Sequence, residues 1–375
     1  MFALIRAWTD ALLSDVGCAK PWLNTHYPRP LFKKRREGFF MSKKDDVVLH
    51  RLPKHGVIRV FEGFAGYGGA SFGLKRSKLN YKVVGMSEIN PFASKLLAAN
   101  FPKIKNWGDI TKIEPKELPD FDLFTGGFPC QPFSSAGMQM GEDDRYGRGT
   151  LFYEIMRILK EKRPKYLLLE NVKGFTAKKF EPTRNRIKEI LRELGYGELQ
   201  YAILNSCDYG IPQNRERIWM FAMLGGVPEG FNIVPPKIKL TKRFGDLLDE
   251  KAPSYLYLSH AQIEHLKEKH NIESFSVEEP LCFDVYNKKI KTNGLCITIT
   301  QPEHNSLRVV EVPKEDGVEI VRKMSVDEQF RFMGFRDGEL NYAEQSYSQL
   351  STRAGNGWDV NLVGILLNHI FNQIL

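Results

Sequence analysis

No stretch of this 375-residue sequence reaches the roughly 18 uncharged apolar residues that a membrane-spanning helix needs. The first residues carry Arg6, Asp10 and Asp15, where a signal peptide would be apolar. We therefore expect no membrane partner and a protein that stays in the compartment where it is made, the cytoplasm. Hydrophobic residues make up 42% of the chain and charged residues 26%, which excludes disorder for most of it.

Cysteine is also scarce. The sequence has five cysteines and no C-x-x-C pair, and an odd number cannot all form disulfides; they are Cys18, Cys130, Cys207, Cys282 and Cys296. This usage is typical of a reduced, intracellular protein in which a special cysteine is reactive rather than structural. No spacing of residues indicates a metal site.

Positive charge exceeds negative charge, and the net charge is +9. Residues 1–56 hold 11 Lys and Arg against 5 Asp and Glu, so most of the excess lies in a basic N-terminal extension. The run Lys33-Lys34-Arg35-Arg36 fits either a nucleic-acid-binding arm or a solvated, disordered tail. Met41 would also serve as a start, so we assign no function to the residues before it.

From Val57 onward, apolar runs alternate with amphipathic stretches, the pattern of a parallel sheet with crossover helices. The predicted strands are Val57–Phe61, Tyr81–Met86, Asp122–Thr125, Tyr166–Glu170, Tyr201–Cys207 and Ile218–Leu224. The predicted helices are Ala70–Leu79, Pro91–Asn100, Leu151–Lys160, Thr183–Leu194, His260–Lys269, Ser325–Met333 and Val360–Gln373. We predict an α/β fold with a doubly wound, mostly parallel sheet over residues 57–225, which binds its ligand at the carboxyl ends of the strands. A mixed, Lys-rich stretch over residues 226–313 is predicted to form a smaller domain.

A glycine-rich loop, Phe61 to Gly69, follows the first predicted strand and opens a helix. It does not fit the dinucleotide spacing G-x-G-x-x-G, because the third glycine position after Gly66 and Gly68 is Ser71. It also lacks the Gly-Lys-Ser/Thr of a phosphate-binding P-loop. The remaining candidate is a nucleotide-like ligand without a pyrophosphate, of which S-adenosylmethionine is the commonest.

Two carboxylates follow the glycine loop. Glu88 comes at the end of the second predicted strand, where it can accept hydrogen bonds from the ribose hydroxyls of such a ligand, and Asp109 can bind the adenine amino group. Taken singly, each is more typical of a helix cap or a surface carboxylate. Their order after the loop favours the ligand-binding interpretation.

Cys130 lies in a loop that directly follows the predicted strand Asp122–Thr125, between Pro129 and Pro132. A cysteine held on rigid, irregular backbone at the mouth of the cleft is suited to nucleophilic catalysis. The alternative is a buried small hydrophobic residue, an interpretation that we apply to the other cysteines after it.

Five motifs occur in one order: the glycine loop, the Cys130 loop, Glu170-Asn171-Val172, Gln213-Asn214-Arg215-Glu216-Arg217 and Gly355-Asn356-Gly357. Together they resemble the motifs of the cytosine-C5 DNA methyltransferases. The resemblance implies a class I methyltransferase (Rossmann-like) fold, S-adenosylmethionine as cofactor, and methylation of a flipped-out cytosine in a specific short sequence of double-stranded DNA. It places target recognition in residues 226–313, with Thr298-Ile299-Thr300 as a closing strand, and residues 314–375 complete the catalytic domain.

The resemblance also implies roles for single residues. Cys130 adds to C6 of the cytosine, and Glu170 is the general acid at N3, for which burial must raise its pKa. Arg217 contacts the base, and Arg215, expected two positions earlier on the same strand, contacts the backbone or the cysteine loop. The expected cofactor-binding residues are Phe64, Gly66, Gly68, Gly69, Glu88, Ile89, Asp109, Ile110, Pro129, Leu151 and Asn356. The expected DNA-binding residues are Gln131, Ser134, Arg145 and Arg148, in a segment that is either a closing loop or a plain surface loop.

Three positions depart from the family pattern. Glu62 stands where the family generally has aspartate, and Ile89 stands where a tryptophan often covers the adenine. Gly357-Trp358 replaces the frequent Ser/Ala-Val, and we expect Trp358 to supply the missing aromatic surface. We expect these changes to alter the affinity for the cofactor.

Two other functions fit parts of the sequence. The related transfer-RNA methyltransferases usually carry Cys-Phe-Thr in the recognition region, whereas here Cys282-Phe283 is followed by Asp284. A DNA-binding regulator without activity would not be expected to keep Cys130, Glu170 and Arg217. We expect the DNA enzyme, as a monomer, with a restriction endonuclease acting on the same site as a further partner. Its recognition region carries basic residues that suit either phosphate contacts or a solvated face, namely Lys237, Lys239, Lys242 and Arg243.

Overall fold

Six strands form the principal sheet of the computed structural model, which describes residues 56–128, 151–302, 307–313 and 317–375. They are β1 (Ile58–Gly63), β2 (Tyr81–Ser87), β3 (Leu123–Gly127), β4 (Tyr166–Val172), β5 (Gln200–Asn205) and β6 (Glu216–Met223). Their order across the sheet is β2-β1-β3-β4-β6-β5. The first four of these are parallel to one another, whereas β6 runs antiparallel to both β4 and β5. The prediction of a mostly parallel sheet is confirmed, and the strand ends differ from the predicted ones by at most two residues.

The described residues form eight α-helices. They are α1 (Gly69–Arg76), α2 (Pro91–Asn100), α3 (Leu151–Lys162), α4 (Glu181–Glu193), α5 (His260–His270), α6 (Val326–Phe332), α7 (Tyr347–Asn356) and α8 (Val360–Ile374). Residues of α1 and α8 join one apolar cluster against the principal sheet, and residues of α3 and α4 join another. Because side chains alternate along a strand, Leu168 of β4 belongs to the first cluster and its neighbours Leu167 and Leu169 to the second. The sheet is therefore covered on both faces, as in a doubly wound fold. None of the helices in the described ranges is both long and apolar enough to span a membrane.

A second sheet follows the principal one in the chain. Its strands are β7 (Leu281–Asp284), β8 (Lys289–Lys291), β9 (Leu307–Glu311) and β10 (Ile320–Arg322), in the order β10-β9-β7-β8 and antiparallel throughout. Phe275, Phe283 and Val310 are buried together with Ile263 of α5. The second sheet continues past residue 313, where we predicted the end of the smaller domain, because β10 pairs with β9.

The predicted closing strand Thr298–Thr300 is not a strand, and this prediction is wrong. Buried side chains form hydrogen bonds with backbone groups that would otherwise pair with a neighbouring strand. The amide of Ile299 donates to Gln213 Oε1 at 3.0 Å, and its carbonyl accepts from Arg215 Nη1 at 2.9 Å. The segment has the composition of a strand, but side-chain hydrogen bonds, rather than a neighbouring strand, hold it in place.

Candidate active site

The candidate site lies at the carboxyl ends of β1, β3 and β4. The chain passes from β1 to β2 on one side and then returns to β3 on the other side of β1, which makes the β1/β3 boundary the switch point of the sheet. A crevice forms at such a point because the connections leave in opposite directions. The glycine loop after β1 and the Cys130 loop after β3 both start here.

The glycine loop turns sharply between β1 and α1. Gly66 and Gly68 have φ values of 57° and 90°, in the left-handed region that favours glycine, and Phe64 shares it at 52°. A Cβ atom added to Gly66 would meet no atom within 4 Å, so its backbone borders open space. Gly68 is the N-cap of α1, and Gly69 is its first residue. The loop thus presents bare backbone to a ligand.

The acidic residues border the same loop. Glu88 follows β2, and its Oε2 accepts from the amide of Gly66 at 2.8 Å while Oε1 accepts from the amide of Asn90 at 2.7 Å. Ile89 is 69% exposed although it is apolar. Asp109 caps a short helical turn by accepting from the amide of Thr111 at 3.0 Å, so the cap role considered for it is present. Glu88 keeps a second lone pair on each oxygen, and Asp109 keeps those of Oδ2 because Thr111 occupies Oδ1, so both acids can bind a ligand as well.

The remaining predicted cofactor residues are spread along the same edge. Ile110 is buried beside Asp109. Leu151 begins α3 and is half-buried, and Asn356 is the exposed last residue of α7. Pro129 lies outside the described residues.

Glu170 is a buried acidic side chain of the site with two polar partners. It is buried near the end of β4, where its Oε1 lies 3.1 Å from Arg217 Nε and its Oε2 accepts from Trp358 Nε1, also at 3.1 Å. Burial raises the pKa of Glu170, and the nearby charges of Arg217 and Arg215 and the Trp358 hydrogen bond act in the opposite direction. A Cβ atom on Gly127 of β3 would lie 2.7 Å from Trp358 Nε1 and 3.0 Å from Glu170 Oε2, so glycine is required there.

The start of the Cys130 loop is tied to the same strand end. The side-chain amide of Asn171 donates to the carbonyl oxygen of Phe128 at 3.0 Å. Phe128 is the last described residue before the loop, two positions ahead of Cys130. The predictions for Cys130, Gln131, Ser134, Arg145 and Arg148 fall outside the described residues.

The two arginines differ in their surroundings. Arg217 lies on β6 and contacts Glu170, as described above. Arg215 precedes β6 rather than lying on it, and its guanidinium donates to the carbonyls of Ile299 (2.9 Å), Gly355 (3.0 Å) and Gly357 (2.7 Å). Arg217 therefore contacts Glu170 directly, whereas Arg215 binds main-chain carbonyls of the protein.

Trp358 occupies a different place from the one expected for it. Its side chain is buried beside Glu170, and its ring meets that of Trp219 edge-on at a centroid distance of 4.9 Å. The Tyr67 hydroxyl donates to the Trp358 carbonyl and joins this residue to the glycine loop. The contact with Glu170 spans 188 positions, and the only sequence signal was the unusual residue after Gly355-Asn356-Gly357.

Comparison with known proteins identifies this arrangement. The family model described as C-5 cytosine-specific DNA methylase matches residues 58–372. The chain belongs to this family. Its members use S-adenosylmethionine to methylate C5 of cytosine in DNA, and this C5 methyltransferase has the same activity and methyl donor.

Relatives with known names support the assignment. The chain is similar to the Type II methyltransferase M2.ScrFI of Lactococcus lactis subsp. cremoris, at 30% identity over 84% of this chain and 100% of the relative. It is similar to the Type II methyltransferase M.NgoBI of Neisseria gonorrhoeae, at 35% identity over 80% of this chain and 89% of the relative. The structure resembles the Dnmt2 methyltransferase of S. pombe with a TM-score of 0.63 and 22% identity over 84% of this chain and 98% of that one, a likeness of fold.

The residues of the crevice fit S-adenosylmethionine. The backbone of Gly66 borders open space, Ile89 offers an exposed apolar surface, and Glu88 offers carboxylate lone pairs for hydroxyl groups. An apolar surface combined with a few convergent polar groups is typical of a nucleoside site.

Proposed function

We propose that this methyltransferase acts on a cytosine turned out of a specific short sequence of double-stranded DNA, through a covalent bond between Cys130 Sγ and C6 of the base. The observation that carries the proposal is the buried Glu170, held by Arg217 and Trp358 beside the strand end that leads to Cys130. A duplex buries the target carbon within its stack, so the base must leave the helix to reach this depth.

The proposed mechanism of methyl transfer follows from the low electron density at C5 of the cytosine ring. C5 of cytosine is a poor nucleophile until a thiolate adds to C6, which breaks the C5–C6 double bond and moves electron density onto C5 and toward N3. Cys130 supplies the thiolate, and Glu170 supplies a proton at N3. Bound S-adenosylmethionine supplies the methyl group. Loss of the C5 proton to a base and expulsion of the Cys130 sulfur then restore the double bond.

The site residues divide the remaining tasks. Arg217 lies at the Glu170 carboxyl and is placed to bind the base, and Arg215 holds the Gly355–Gly357 backbone. Phe64, Gly66, Glu88, Ile89 and Asp109 hold the cofactor, with Gly68, Gly69, Ile110, Pro129, Leu151 and Asn356. Gln131, Ser134, Arg145 and Arg148 contact DNA.

We assign target recognition to residues 226–313, which hold three of the four strands of the second sheet. Two of its basic residues form ion pairs within the protein, Lys237 with Asp208 at 3.1 Å and Arg243 with Glu279. This leaves Lys239 and Lys242 as the better candidates for phosphate contacts. The Type II names of the relatives support a restriction-modification setting. We propose a monomeric enzyme in the cytoplasm that acts at the nucleoid, with an endonuclease that reads the same site.

Trapping with 5-fluorocytosine tests the proposal. Fluorine at C5 cannot leave as a cation, so DNA that carries this base at the recognised position should remain bonded to Cys130 after methyl transfer and migrate with the protein on a denaturing gel. The Cys130→Ala variant should form no such complex, whereas the Cys207→Ala variant, which removes a half-buried thiol elsewhere, should form it as the wild type does.

Two results would reject the covalent mechanism: no trapping of 5-fluorocytosine DNA by a wild-type enzyme that methylates the matching unfluorinated DNA, or trapping that survives Cys130→Ala. A parallel reaction with transfer RNA, read by incorporation of labelled methyl groups, tests the substrate. Methylation of transfer RNA without methylation of DNA would reject DNA as the substrate.

A further inference from the structure

Contacts on several sides hold both the backbone and the indole ring of Trp358 in place. Its backbone carbonyl accepts from Tyr67, and the carbonyl of the preceding Gly357 accepts from Arg215 at 2.7 Å. Its ring packs edge-on against Trp219, with ring planes at 71°. A buried indole bound in this way has little freedom to turn, so the direction of its N–H group is fixed by the fold rather than by Glu170.

The indole N–H and Arg217 divide the two oxygens of Glu170 between them. Arg217 Nε lies 3.1 Å from Oε1, and Trp358 Nε1 donates to Oε2 over the same distance. The ion pair with Arg217 alone would leave the Glu170 carboxyl free to rotate about its Cγ–Cδ bond. The ion pair from β6 and the indole hydrogen bond from the residues after α7 together fix the plane of the group.

We propose that Trp358 is a positioning residue for Glu170, and that its indole N–H keeps the carboxyl turned toward the base. The inference rests on the acid role proposed above for Glu170. It gives a function to a residue that departs from the family's usual Ser/Ala-Val continuation. In this role the residue acts through Glu170.

The hydrogen bond has a predictable effect on acidity. Donation to a carboxylate stabilises its charged form, so loss of the indole N–H should raise the pKa of Glu170 further. The other groups that face Glu170 are Arg217 and Arg215, whose charges lower its pKa, and Tyr67 of the glycine loop, whose phenol is kept neutral by burial. None of these is altered by a change at Trp358. A general acid works while protonated, so the alkaline limb of the rate profile should move to higher pH.

Trp358→Phe and Trp219→Phe form a matched pair for the test. Both remove an indole and leave a similar cavity, but Trp219 Nε1 is buried without a hydrogen-bond partner among the described residues. The assay follows labelled methyl transfer to unmethylated plasmid DNA from pH 5.5 to 9, with thermal unfolding as a check of folding. We expect Trp358→Phe to lower kcat about tenfold, to leave KM for DNA within about twofold, and to move the alkaline limb to higher pH. Trp219→Phe should keep the wild-type limb.

A variant that leaves no cavity separates the effect of the lost hydrogen bond from the effect of the lost packing. Benzothienylalanine introduced at position 358 replaces the ring N–H with sulfur and keeps the size of the indole, so it should fold even where phenylalanine does not. It should reproduce the shift of the alkaline limb. A limb that stays in place in this variant, or one that moves equally in Trp219→Phe, would overturn the role of Trp358.

Glu170→Gln separates this inference from the proposal on which it rests. If the acid role is correct, this variant loses the alkaline limb of the wild type together with most of its rate. If it retains the wild-type limb and rate, Glu170 is not the acid, and the proposed mechanism fails at that step whatever Trp358 does.

Discussion

Glu62 is a carboxyl group buried beneath the glycine loop, at the carboxyl end of β1. Its oxygens accept from the amides of Ala70 and Ser71 at 2.8 and 3.1 Å, and from the Ser71 hydroxyl at 2.5 Å. These groups belong to the first turn of α1, where unpaired amides and the helix dipole favour an acceptor. Desolvation nevertheless outweighs the hydrogen bonds and raises the pKa of Glu62 to about 7. The longer side chain at this position therefore holds the start of α1 with a group that titrates near neutrality.

We expect the unfolding free energy of the enzyme to depend on pH through the titration of Glu62. Its folded pKa of about 7 exceeds its ordinary value of 4.5, so the folded state binds the proton more tightly. The resulting stabilisation is complete below pH 4.5 and is lost as the pH rises through about 7. Between pH 5 and 8 the wild type should lose about 2.5 kcal/mol of unfolding free energy relative to Glu62→Gln, measured by urea denaturation of both proteins. A difference that does not change with pH would contradict this assignment.

At the scale of single elements, α7 carries at its C-terminal end both Asn356 and Gly355, whose carbonyl accepts from Arg215. Ser346 caps its start by accepting from the amide of Gln349, whose side chain in turn accepts from the amide of Ser346. Near its other end, the backbone of Gly355 lies against that of Thr300 and Gln301. One end of the helix is thus fixed by local hydrogen bonds and the other by close packing.

Most strands of the principal sheet could be predicted because they contain buried apolar runs, whereas β5 is apolar but exposes Tyr201 and Ile203. The helix α7 was missed, although Ser346 and Gln349 have the spacing of a capping box, because it buries few large apolar side chains. The contact between Trp358 and Glu170 could not be predicted from local patterns. It depends on how residues 188 positions apart are brought together by the strand order.

The cap of α7 should contribute measurably to stability. Ser346→Ala removes the acceptor for the Gln349 amide and should lower the unfolding free energy by about 1 kcal/mol. Ser348→Ala, the same change at an exposed position inside the helix, should alter it by less than about 0.5 kcal/mol. Chemical denaturation of both variants measures the difference, and equal effects would show that the cap does not stabilise the helix.

Replacing Gly355 by alanine has two opposing effects on stability. Alanine normally stabilises a helix interior by about 1 kcal/mol relative to glycine. Here, however, a Cβ atom would lie 2.4 Å from the Gln301 amide nitrogen and 2.4 Å from the Thr300 carbonyl carbon, which are backbone atoms. Gly355→Ala should therefore destabilise the protein by about 1–3 kcal/mol and lower the melting temperature.

Gly174→Ala is the control for this change, because its nearest neighbour would lie 3.9 Å away. It should leave the melting temperature close to that of the wild type. A Gly355→Ala protein as stable as the wild type would mean that residues 300 and 301 move aside without cost.

In the molecule as a whole, a buried ion pair joins the second sheet to the C-terminal helices. Arg322 of β10 is completely buried and donates to both oxygens of Glu328 in α6 at 2.7 and 2.8 Å, and also to Glu311 of β9. Glu328 in turn accepts from the amide of Asp249 at 2.8 Å. Removing one charge from such a group leaves the other buried without its partner.

Arg322→Met should cost about 3–5 kcal/mol of unfolding free energy, because the Glu328 carboxylate stays buried without its cation. Arg243→Met breaks an exposed pair with Glu279 and should leave the unfolding free energy close to that of the wild type. Denaturant unfolding of both variants provides the comparison. Similar costs for the two substitutions would show that burial does not determine the strength of these pairs.

The packing of α8 against α1 constrains the order of events during biosynthesis. A Cβ atom on Gly73 of α1 would lie 2.3 Å from Val363 of α8, and Tyr67 binds the carbonyl just ahead of that helix. Ribosomes deliver residues 58–76 long before residues 358–374, so one face of the nascent sheet lacks α8 for most of translation. We therefore expect a polypeptide cut short before α8 to be inactive.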